Sequence, residues 1–63
     1  MTFEKASKLS AGCEVFENSS GRKIEVISVH QVRSQNQEIV EIAGVIEENQ
    51  NQFYHVWNHN EVT

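Results

Sequence analysis

The chain has 63 residues, enough for one small domain near the lower size limit for independent folding and too few to enclose a large substrate cavity. It is acidic, with nine glutamates, no aspartate, five lysines or arginines and a formal net charge of −4; this argues against a conventional nucleic-acid binder, whose affinity comes largely from cations neutralising phosphates. A single cysteine, Cys13, excludes an internal disulfide, and no apolar run approaches the roughly 18 residues of a membrane span or resembles a secretion signal, so the cytoplasm is the simplest placement.

No repeat, linker or compositional break divides the chain, which reads as a single small β domain over residues 1–63 with residues 1–11 as a leader. In the leader, Phe3, Ala6 and Leu9 fall three apart, the spacing of a helical face. Glu4 and Lys8 stand four apart in the favourable order, Thr2 is a capping residue type, and Gly12 suits the end of a helix. So short a helix is marginal without packing, and an extended leader is the alternative.

From Gly12 to Glu17 the pattern is that of a strand, with Cys13 and Val15 on one face and Glu14 and Phe16 on the other. Asn18-Ser-Ser-Gly21 is a turn signal, because glycine tolerates positive φ and Asn or Ser can bond their own backbone. Arg22 to Val32 is the next strand; it carries apolar residues on both faces, which predicts a central strand or one that bends and switches sides. Arg33 to Gln37 reads as a polar loop.

The strand that follows, Glu38 to Glu48, organises the rest. Val40, Ile42, Gly44 and Ile46 share one face, and Ile39, Ala43 and Val45 the other. A glycine inside a strand marks a bend, a bulge or a close backbone approach. Glu47 to Gln52 forms a turn, Phe53 to His59 the last clear strand, and Asn60 to Thr63 either frays or adds one more pairing. The short links predict antiparallel hairpins, since parallel crossovers need a dozen or more residues. The fold class is therefore mainly β: a small antiparallel bent sheet or SH3-like barrel of 4–5 strands, with a short N-terminal helix where the leader folds. A helix packed across a three- or four-stranded sheet is second.

No constellation for catalysis emerges, and nothing implies a cofactor. Cys13 lies beside Val15 and reads as a small buried hydrophobe. Ser20-Gly21-Arg22-Lys23 lacks the spacing of a phosphate-binding loop, and Glu47 and Glu48 fall in a polar turn. His55 and His59 are four apart, but on a strand that separation is about 13 Å, too far for both imidazoles to share an ion. The chain reads as neither an enzyme nor a metal protein.

The aromatic run is the leading surface candidate. Phe53, His55, Trp57 and His59 alternate onto one face, and Tyr54, Val56, Asn58 and Asn60 onto the other. Either Phe53 and Trp57 complete the core with Tyr54 half exposed, or Val56 and Tyr54 turn inward and Trp57, His55 and His59 form an exposed patch. The expected function is a small non-enzymatic module that binds another protein, one with a basic face, through Tyr54, His55, Trp57 and His59; a homodimer would supply extra burial. The alternative is a small barrel that stacks single-stranded nucleic acid on aromatics beside basic residues, using Phe16, Arg22, Lys23 and Arg33 together with Tyr54 and Trp57. A third reading makes the glutamates a mimic of a nucleic-acid backbone.

Overall fold

A computed structural model describes the backbone of residues 1–63 and every side chain but that of Ser34. The chain runs through a one-turn helix α1 (Phe3–Ala6) and four strands, β1 (Glu14–Phe16), β2 (Lys23–Ser34), β3 (Gln37–Glu48) and β4 (Asn51–Asn58), and then a 3-10 turn at His59–Glu61. The strands form one open antiparallel sheet in the order β1-β2-β3-β4. The fold is thus mainly β with a short N-terminal helix. The leader is helical for one turn only: Thr2 caps it by accepting the Lys5 amide at 3.2 Å, and Gly12 beyond it takes a φ of 94°.

The hairpin tips are tighter than the polar composition suggests. Arg33, Ser34 and Gln37 are strand residues rather than loop, and only Gln35 and Asn36 make the turn. Ladder pairing is a backbone property, so polar side chains that project into solvent do not interrupt it. Asn49 and Gln50 alone join β3 to β4, both with positive φ (52° and 67°), as the twist-matched two-residue hairpin requires. Each strand of the long β2–β3 hairpin has 12 residues, about 40 Å at 3.3 Å per residue, which sets the 40 Å length of the molecule.

β2 switches sides. The β2–β3 register shifts between Val26 and Ser28, leaving Ile27 as the extra residue of a bulge. Ile24 and Val26 face the core before it; after it the phase inverts, so that Val29 packs against the core. On β3, Val40, Ile42 and Ile46 are buried, as the alternation predicts. Gly44 lies among them because a Cβ there would come within 2.6 Å of the Glu25 carbonyl oxygen and of Ile24 Cγ2. The core gathers Ala6, Val15, Ile24, Val26, Val40, Ile42, Ile46, Trp57 and Val62. Each large aliphatic side chain fully buried there contributes about 1.5–3 kcal/mol.

β4 ends at Asn58, one residue before the sequence pattern suggests, and the chain turns through His59–Glu61. The Asn58 amide donates to Glu61 Oε1 at 3.0 Å, which starts this turn. The tail then adds one more pairing. Val62 bridges Glu17 in antiparallel sense, and the Phe16 and Thr63 backbones exchange hydrogen bonds of 2.9 and 2.8 Å on the edge of β1 away from β2.

Candidate functional site

The sheet presents two different surfaces near β4. On the inner side, between the β1–β2 turn and the first half of β4, lies an open groove of about 340 Å³ whose lining includes Glu17, Arg22, Ile46, Phe53, His55 and Trp57. Trp57 is its floor: it is only 2% exposed, and its Nε1 donates to Glu17 Oε2 at 2.8 Å. The other Glu17 oxygen accepts from the Ser20 hydroxyl and, at 3.4 Å, from Arg22 Nη2, while Arg22 Nη1 donates to Glu48 Oε2 at 2.8 Å. The Ser20 and Trp57 hydrogen bonds, then the Arg22 charge, outweigh desolvation and hold the Glu17 carboxyl below the usual carboxylate range.

Tyr54, His55 and Trp57 all line this groove, and His59 lies apart from them. His55 is exposed at the groove's rim and meets Trp57 edge-on, ring centroids 4.9 Å apart. Tyr54, 64% exposed, borders the groove while alternating with Phe53 and His55 along β4. His59 lies in the 3-10 turn, where its Nδ1 accepts the Val40 amide at 3.1 Å and its ring meets Phe3 edge-on. Of the alternatives for the aromatic run, Trp57 takes the core position; Phe53 shares its face but is 53% exposed at the groove's edge.

Of the residues proposed for nucleic acid, Phe16 and Lys23 are cross-strand neighbours and Arg22 adjoins them. Arg22 is held by Glu17 and Glu48, and Lys23 Nζ lies 2.9 Å from Glu14 Oε2, a hydrogen bond and charge that raise its pKa. Arg33 is distant from them, opposite Glu38 near the tip of the β2–β3 hairpin. Among the described residues no three His, Cys, Asp or Glu side chains converge as a metal site. Among the described residues no helix is long and apolar enough to cross a membrane.

The outer side of the sheet carries a surface that the alternation of β4 alone did not reveal. Register sets three rows across β2, β3 and β4: Glu25, Val45 and Tyr54; Ser28, Ala43 and Val56; His30, Glu41 and Asn58. Tyr54 and Val56 are 64% and 41% exposed, and Val45 is half-buried between its neighbours. Exposed Ile27 stands at the bulge beside them. Glu25, Glu41 and Glu47 border this apolar strip. The signal for it in the sequence was the second apolar face of β3, Ile39, Ala43 and Val45.

No family model matches the chain, and no curated protein or solved structure proves similar to it.

Proposed function

We propose that this chain is a non-enzymatic protein-binding module of the cytoplasm, built on an SH3-like arrangement, that docks a partner with basic groups on the outer face of its sheet. The observation that carries the reading is the strip of Tyr54, Val56, Val45 and Ala43 edged by Glu25, Glu41 and Glu47. An aromatic and aliphatic centre with a charged rim is the composition of a protein-binding surface, and the carboxylates select a partner of opposite sign. The SH3-like arrangement is supported by the bridge of Val62 to the free side of β1, which curls the tail back on the first strand. The cytoplasmic placement is supported by the unpaired Cys13 thiol, which a reducing compartment keeps free.

Panning a displayed peptide library against the folded chain tests this. Enriched sequences should combine apolar and basic residues, and their amide-shift footprint should fall on Tyr54, Val56 and Val45. Replacing Glu25→Lys together with Glu47→Lys should weaken them at least tenfold, and added salt should do the same. Enrichment of sequences without basic residues, or a footprint confined to the groove above Trp57, would refute the proposal.

A further inference from the structure

We infer that β4 pairs along its free edge with β4 of a second copy of this chain. β4 is last in the strand order and its ladder runs to β3 alone, so the other edge of Asn51–Asn58 offers backbone donors and acceptors to solvent. Sheets ordinarily guard such an edge with charge, proline, a bulge or a covering segment. None of these eight residues is charged or proline, and the β3–β4 register runs without a shift. Asn51 through Val56 are all exposed, Phe53 by 53% and Tyr54 by 64%.

Charge chooses the occupant. Two copies of a chain of net charge −4 repel wherever their glutamates meet, and β4 is an exposed strand with no formal charge to oppose. Face parity chooses the register. Partners across an antiparallel pair share a face, so a two-fold axis must pass through a residue rather than between two. An axis through His55 sets Tyr54 against the copy's Val56 twice on the outer face, and Phe53 toward the copy's Trp57 on the inner. An axis through Tyr54 would set Val56 against Gln52 instead, leaving the aliphatic group beside an amide. The pairing joins two sheets of four strands into one and continues the outer apolar strip across the axis. It uses the backbone edge and does not depend on what docks on the outer face.

The intact chain is the test sample. Sedimentation equilibrium from low micromolar to near millimolar concentration should show the mass rise from 7.2 kDa toward twice that value. Val56→Lys, an exposed position that leaves the core untouched, should weaken self-association at least tenfold with an unchanged circular dichroism spectrum. In a Cys13→Ser background, His55→Cys should crosslink to its own copy under mild oxidation, because a residue on the axis meets the 4.4–6.8 Å Cα separation that a disulfide needs, roughly speaking. Gln52→Cys, about 20 Å from its own copy in that register, should not crosslink. A chain that stays at 7.2 kDa throughout, or Gln52→Cys crosslinking as readily as His55→Cys, would overturn the inference.

Discussion

The indole Nε1 of Trp57 donates to Glu17 Oε2 at 2.8 Å, joining the end of β4 to the residue after β1, 40 positions earlier in the chain. Both partners line the inner groove, and the bond satisfies the one polar atom of a side chain that is otherwise core. It also makes the Glu17 carboxylate a structural charge, so acid should act there.

Glu17 is held below the ordinary carboxylate value of 4.5. A carboxyl whose folded pKa is depressed stabilises the fold fully above its unfolded pKa, and that stability disappears as pH falls through the folded pKa. Urea unfolding followed by Trp57 fluorescence should therefore give a flat contribution from this group between pH 5.5 and 7, roughly, and a decline below about 4.5. In Glu17→Gln the neutral pH stability should drop and the acid decline should become shallower. An identical acid limb in the two proteins would show that Glu17 does not carry the charge dependence.

Gly44→Ala should be among the most damaging single-atom additions in the chain. The new methyl group would meet the Glu25 carbonyl oxygen and Ile24 Cγ2, each at 2.6 Å, and the first of these is backbone that can move only with the β2–β3 pairing. Overpacking of this kind costs about 1–3 kcal/mol. Thermal melting should show it, with Val56→Ala on the exposed opposite face as a mild control.

Two aliphatic residues of the central sheet separate core from surface. Ile42 is fully buried opposite Trp57, so Ile42→Ala should cost about 2–5 kcal/mol in chemical denaturation. Val56, 41% exposed on the outer face, should lose about 0.5 kcal/mol or less as Val56→Ala. Equal losses would place the core on the wrong side of the sheet.

His59→Ala should expose one particular amide. The Val40 N–H finds its acceptor in His59 Nδ1, and a buried donor without a partner costs about 1–3 kcal/mol. Hydrogen exchange at Val40 should accelerate beyond that of the neighbouring β3 amides. The Phe3 ring, edge-on to the imidazole, should show the change in its proton shifts.

The alternation of Val40, Ile42, Gly44 and Ile46 against Ile39, Ala43 and Val45 made the central strand legible from the sequence, and the glycine announced the close approach of β2. The two-sided pattern of Arg22 to Val32 likewise announced a change of side, which the bulge at Ile27 supplies. The state of the aromatic run was not legible. Period-2 spacing groups Phe53, His55 and Trp57 correctly, but which of them is covered depends on Glu17 and Val62, brought near by pairing across the whole chain. His59 continues the strand pattern in the sequence, and nothing local marks the 3-10 turn except Glu61, whose carboxylate accepts from the Asn58 amide. The outer strip is not legible in any one segment because it is assembled from three strands, each contributing one residue per row.

The offset at Ile27 has a consequence for how the chain tolerates changes of length. Excising that residue would straighten the ladder and leave the pairs on either side of it, Val26 with Gly44 and Ser28 with Ala43, in direct succession, so Val29 stays inward and His30 outward. Insertions at the tips, beside Gln35–Asn36 or Asn49–Gln50, likewise shift no side chain of the core, so length variants that fold should cluster at Ile27 and at those two tips.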